Sequence, residues 1–251
     1  MWRLLIILLF SSSVNSYGNS IKNIVFTKAE IVNEHTTRIP FKLIDHLIVV
    51  EAELLGKKGN FIIDTGSETL ILNTVHFKNL NNYNKKITQS SGVIDFIDNP
   101  LEKTLNVFVI DNLKIENIDS HVIDLSHIEK IKKMNLLGVI GYNILKDYEV
   151  FIDLYLNQIT LSKVDKFGNK LDKKVYLETI TDSISFKLKN HTIVINAFVD
   201  DENVTFGLDS AAEFNQINKN IKKTILKNFY PDKRLFLTGA SNRKIEVLAG
   251  K

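Results

Sequence analysis

From Ile39 onward, apolar residues fall in short runs or alternate with polar ones, and Gly, Asn and Asp punctuate them. This is the two-residue rhythm of strands rather than the 3.6-residue rhythm of helices. Leu47–Leu54 reads as a strand, residues 56–59 (Gly-Lys-Lys-Gly) as a turn, and residues 60–63 as a second, buried strand ending at Asp64. Further strands are predicted over 105–110, 113–118, 121–125, 150–156 and 158–161. Ser126 with Glu129 three residues on has the form of a capping box, predicting a short helix over 127–133. Residues 141–146 are the other helical segment, and residues 18–38 are polar and mixed, an arm or edge strand. The expected fold is mainly β with brief helices.

The pattern also repeats. Shifted by 145, residues 39–73 lie over 184–218 without a gap and agree at 12 of 35 positions. Ile39, Phe41, Lys42, Leu43, His46, Ile48, Val49 and Ala52 meet the same residue types at Ile184, Phe186, Lys187, Leu188, His191, Ile193, Val194 and Ala197. Phe61, Asp64, Glu68 and Asn73 likewise meet Phe206, Asp209, Glu213 and Asn218. Unrelated stretches of this length would agree at roughly two or three positions. Two copies of one β unit therefore follow each other, over 39–164 and 173–251, with a boundary near 165–172.

Each copy centres on an apolar pair, an Asp, a hydroxyl residue and a small residue. The first reads Ile62-Ile63-Asp64-Thr65-Gly66-Ser67 and the second Gly207-Leu208-Asp209-Ser210-Ala211-Ala212. A carboxylate buried at a strand end costs several kcal/mol unless it is paired or neutral. Two carboxyls brought together by a pseudo-twofold axis can share one proton, since both resist ionising at once. Such a pair holds an acid and a base together: one carboxyl draws a proton from water while the other hydrogen-bonds a peptide carbonyl.

Asp64-Thr65-Gly66-Ser67 resembles the signature of aspartic peptidases of the retropepsin-like and pepsin-like clan. Residues 136–145, Leu-Leu-Gly-Val-Ile-Gly-Tyr-Asn-Ile-Leu, resemble that family's downstream apolar-apolar-Gly segment and the short helix after it. Residues 148–154 and 158–161 resemble the closing hairpin of a lobe. The resemblance implies an acid-protease (retropepsin-like) β-barrel lobe over 39–164, followed by a second, incomplete lobe of the same type over 173–251. It implies an endopeptidase with Asp64 and Asp209 as the catalytic pair and a polypeptide as substrate, needing neither cofactor nor metal. Thr65 and Ser210 become bracing hydroxyls, and Gly66, Ser67, Ala211 and Gly138 support the catalytic loops. Ala211 and Ala212 stand where the signature has Gly and Ser, so the second copy is the less standard one. The family's flap over the substrate falls on Ser90, Ser91 and Gly92, with residues 238–241 at the matching place in the second copy.

Composition and the remaining constellations exclude more than they add. The absence of Cys removes disulfides, thiolate zinc sites, a cysteine nucleophile and a lipid-anchor cysteine. A net charge of +3 without a basic, aromatic-interleaved stripe gives no support for nucleic-acid binding. Only 3 Pro and 11 Gly with no low-complexity tract argue against a disordered chain. Arg3, the apolar run over residues 4–10 and the small residues over 11–16 form a signal peptide over 1–16, followed by an arm over 17–38. Export to a periplasmic, cell-envelope or extracellular location is expected, without a stable membrane span. His121 and Asp124 fall on opposite faces of a strand, against a metal site. Lys130, Lys132 and Lys133 read as the wet face of the capped helix, and His46 and His191 as hydrogen-bonding residues at strand starts. The chain ends before any counterpart of residues 136–138 in the second copy, so that copy is expected to expose strand edges. Two alternatives stay open: a homodimer pairing Asp64 from each chain, and an inactive peptide-binding remnant.

Overall fold

A computed structural model describes residues 24–78, 84–85, 89–91, 96–98, 101–110, 113–174 and 180–251. The signal peptide expected over 1–16 lies outside the described residues. The first half runs β1 (Glu30–Asn33), β2 (Thr36–Ile44), β3 (Leu47–Leu54), β4 (Lys57–Ile63), β5 (Leu70–Asn73) and α1 (Thr74–Phe77). It continues through β6 (Asn84–Lys85), β7 (Gln89–Ser91), β8 (Phe96–Asp98), β9 (Leu101–Ile110), β10 (Leu113–Ile123) and α2 (Ser126–Lys132). It closes with β11 (Leu136–Ile140), α3 (Tyr142–Leu145), β12 (Tyr148–Asp153) and β13 (Gln158–Lys163). The second half holds β14 (Lys187–Lys189), β15 (Thr192–Val199), β16 (Glu202–Leu208), α4 (Lys223–Leu226), β17 (Pro231–Thr238) and β18 (Lys244–Gly250). The protein is mainly β, and among the described residues no helix is long and apolar enough to cross a membrane.

In the first half, neighbours β3, β4, β11, β5, β10 and β9 form a barrel that Glu53 opposite Val109 closes. Alternation along each strand sorts its residues into two clusters. Phe41, Val50, Phe61, Leu70, Leu72, Phe108 and Ile140 face inward, with Phe61 and Phe108 edge to face at 5.1 Å. Leu47, Val49, Ile62, Ile71 and Val139 point the other way and form a second cluster, onto which Ala211 and Ala240 of the second half pack. Both faces of these strands are covered, so their sequences read as unbroken apolar runs rather than alternation.

β11 explains Gly138. It lies between β4, to which it is parallel, and β5, to which it is antiparallel. A Cβ at Gly138 would stand 2.1 Å from the Ile71 carbonyl oxygen and 2.9 Å from Phe61 Cε1. No side chain fits there, and the strand threads the gap only because residue 138 has none.

Several expectations are corrected. The β3–β4 turn is Leu55-Gly56, with φ of 52° and 73°, rather than residues 56–59. Residues 113–118 and 121–125 do not form two strands: β10 runs unbroken from Leu113 to Ile123, with Asn117 at φ 53°. Of residues 18–38, expected as an arm or edge strand, 30–33 and 36–38 are strand, β1 pairing with β2 and β2 with β13. Ser126 does not cap α2; Leu125 occupies that place with no side-chain bond, and Asp124 Oδ1 accepts the Ser126 N–H at 2.9 Å. Glu129 turns instead to His76 Nε2, at 2.6 Å, and Asn73 Nδ2, at 2.9 Å, two donors that reward its charge more than one backbone amide would. Lys132 is not on the wet face: its side chain is 7% exposed and pairs with Glu213, at 2.7 Å, and Asp45, at 3.2 Å.

In the second half β15 and β16 begin and end 145 residues after β3 and β4. The turns before them match as well, with Asp45 at φ 47° and Asn190 at φ 58°. Burial differs. Phe41 is 1% exposed and Phe186 is 56%; Ile63 is 3% exposed and Leu208 is 51%. Among the described residues no strand pairs with β16 on the edge that β11 covers in β4.

Candidate active site

β4 and β16 each run into a tight loop, and the two loops meet. The hydroxyls of Thr65 and Ser210 cross between them. Ser210 Oγ accepts the Thr65 N–H at 3.0 Å and donates to the Ile63 carbonyl at 2.8 Å. Thr65 Oγ1 accepts the Ser210 N–H at 3.0 Å and donates to the Leu208 carbonyl at 3.3 Å. Each hydroxyl is both donor and acceptor, so four bonds lock the loops in a near-symmetric pair. The residue between each bonded carbonyl and hydroxyl is an aspartate, and the lock therefore sets Asp64 beside Asp209.

The carboxyls are held unequally. Asp64 Oδ1 accepts Gly66 N–H at 2.8 Å and Ser67 N–H at 3.1 Å, and Oδ2 accepts the Ser67 hydroxyl at 2.8 Å. Asp209 Oδ1 accepts Ala211 N–H at 2.8 Å, and Ala212 has no hydroxyl to offer. A Cβ on Gly66 would lie 2.8 Å from Asp209 Cγ, so the missing side chain of one loop makes room for the carboxyl of the other.

Burial, with the neighbouring Asp209 charge second, pushes Asp64 up from 3.8 to about 6, against the pull of the Ser67 hydroxyl and Gly66 N–H. Desolvation and a like charge both disfavour the ionised form, while hydrogen bonds to the carboxylate favour it. The proton so retained belongs to the pair. Such an arrangement can give and take a proton at one place below about pH 6 and loses that ability as the pH rises through it.

β11 braces this floor from below. Asp64 N–H donates to the Ile140 carbonyl at 3.0 Å, and Tyr142 and Asn143 N–H donate to the Ser67 and Glu68 carbonyls at 2.8 Å each. Gly138 thus supports the loop from two residues before Ile140, without touching the carboxyls.

Above the carboxyls a cavity of about 360 Å³ separates the halves. Its first-half wall is mostly apolar, with Leu47, Ile62, Ile71, Leu125, Ile128 and Val139, and also carries His127 and Lys132. The tip of the β17–β18 hairpin, residues 238–241, lines its other side, and His127 Nε2 donates to the Gly239 carbonyl at 3.0 Å. Ser90 and Ser91 lie on β7, paired with β8, and Gly92 lies outside the described residues. His121 and Asp124 do not converge: His121 Nε2 stands 3.5 Å from Glu102 Oε1, and Asp124 binds the start of α2. Sequence reasoning missed the contacts of Lys132, His127 and His191 with the opposite half. Only for His191 did a signal exist, its identity with His46 in the repeat.

No family model matches the chain. No curated protein matches it either. Among solved structures it is similar to the crystal structure of a retropepsin-like aspartic protease from Rickettsia conorii, with 19% identity over 56% of this chain and 97% of that one and a TM-score of 0.39.

Proposed function

We propose that the chain is an aspartic-type endopeptidase of the retropepsin-like and pepsin-like clan, cutting peptide bonds with water activated between Asp64 and Asp209. The observation that carries this reading is the four-bond lock of Thr65 and Ser210, which sets two carboxyls together on the floor of a cavity. In the singly protonated pair, the ionised carboxyl takes a proton from water as its oxygen attacks the peptide carbonyl carbon. The protonated carboxyl gives its proton to the carbonyl oxygen. The resulting gem-diol collapses when its hydroxyl proton returns to one carboxyl and the amide nitrogen is protonated by the other. The C–N bond then breaks to give an acid and an amine, and no further reactant is consumed.

The apolar wall favours an apolar side chain beside the scissile bond. The basic start, apolar run and small residues over 1–16 support export as the setting.

The test is cleavage of a defined peptide mixture by the purified chain, read by mass spectrometry between pH 4 and pH 8. Cuts beside apolar residues are expected, fading as the pH rises through about 6 and absent in Asp64→Asn. Cleavage that persists in Asp64→Asn, or that strengthens above pH 7, would refute the reading.

A further inference from the structure

The four-bond lock treats the two loops alike, but one contact across the halves does not. His191, in the turn before β15, is 9% exposed, and its Nε2 lies 3.0 Å from the Gly66 carbonyl oxygen. A carbonyl only accepts, so Nε2 carries the hydrogen. His46, its counterpart by spacing, is exposed. The peptide unit that His191 grips is the one between Gly66 and Ser67, whose N–H at the other end donates to Asp64 Oδ1 at 3.1 Å. Hydrogen bonds in series through one peptide strengthen each other, and a donor at the carbonyl fixes the plane in which the N–H points.

We propose that His191 is a positioning residue for Asp64: from the second half it holds the Gly66–Ser67 peptide so that the Ser67 N–H stays aimed at the Asp64 carboxyl. The role rests on the peptidase reading for its catalytic consequence, though not for its geometry. Two acidic groups face this chain of bonds. Glu68 stands 3.9 Å from His191 Nδ1, on the loop that His191 grips, and Asp209 faces Asp64 from the opposite loop. Glu68, largely exposed, stays beyond hydrogen-bond reach of the ring, and Asp209 is the neighbour whose charge acts on Asp64.

The experiment compares the whole chain with His191→Ala and with His191→Gln, whose amide nitrogen can reach the same carbonyl. Two readouts are taken: the carboxyl carbon-13 titration of Asp64, and kcat and KM on an unfolded protein substrate. In His191→Ala the Asp64 midpoint should rise by about half a pH unit as its carboxylate loses a supported donor. The same variant should lose roughly 10-fold to 100-fold in kcat with KM within about twofold. His191→Gln should restore most of both. A thermal melt of each variant separates these effects from unfolding. An unmoved Asp64 titration in folded His191→Ala overturns the proposal, and so do equal losses in Ala and Gln. A wild-type chain that cleaves nothing defeats the peptidase reading alone, because the titration still decides whether His191 acts on Asp64.

Discussion

Replacing Asp209 by Asn should lower peptide cleavage by about 10²-fold to 10⁴-fold, with KM little changed and the fold intact. In the proposed mechanism the carboxyl of Asp209 is the partner with which Asp64 shares a proton, and an amide can neither take a proton from water nor return one to the leaving nitrogen. The substitution is nearly isosteric, and Ala211 N–H can still donate to the remaining carbonyl oxygen. Loop geometry should therefore survive, since the lock runs through Thr65 and Ser210 rather than through the aspartates. The same variant separates the in-chain pair from a homodimer built on two copies of Asp64. A homodimer would keep its activity in Asp209→Asn, and light scattering would show twice the chain mass. Kinetics together with mass thus decide which carboxyls meet.

Gly138→Ala should cost the first barrel about 3 kcal/mol, the upper end of what overpacking exacts. The added methyl would sit 2.1 Å from the Ile71 carbonyl oxygen, which belongs to backbone and cannot swing away. β11 would have to leave either β4 or β5, and Ile140 would lose its place opposite Ile63 and its bond to Asp64 N–H. The denaturant midpoint is expected to fall, and activity to fall with it at temperatures where the barrel is still folded. Gly207→Ala is the comparison. Its Cβ would meet only Thr192 Cγ2 at 3.5 Å, an ordinary contact, and the midpoint should stay within the error of measurement.

The strands that flank the first Asp were legible because burial on both faces leaves an uninterrupted apolar run: Leu47–Leu54 has the same bounds in sequence and structure. The repeat extended that legibility to the second half, where β15 and β16 keep the 145-residue spacing. Turns were harder. Gly59 looks like turn punctuation, but its lack of a side chain serves packing, since a Cβ there would meet Leu137 Cγ at 2.7 Å. The turn itself places Leu55 at φ 52°, a conformation that residue type does not advertise. The polar pair Asp119-Ser120 read as a gap between two strands, yet β10 carries both residues, and it absorbs Asn117 at φ 53° as well.

The cleft was legible at Asp64, Thr65, Asp209 and Ser210, where local sequence carries the geometry. It was not legible at Lys132, whose partners Asp45 and Glu213 are remote in sequence and turn a surface-patterned lysine into a bridge between the halves. His191 was visible as a repeated residue, yet only the fold shows that it reaches Gly66 while His46 does not bury. The exposure of Phe186 and Leu208 follows from the same asymmetry, because β4 has β11 beside it and β16 has no described strand there.

The most direct measurement of the central claim is the carbon-13 titration of the Asp64 carboxyl in the wild-type chain and in Asp209→Asn. Burial and the Asp209 charge together predict a wild-type midpoint of about 6. Removing the charge but not the burial should lower that midpoint toward 3.8 while leaving it above that value. A wild-type midpoint near 3.8, or one that Asp209→Asn leaves unmoved, would contradict a proton-sharing pair within one chain.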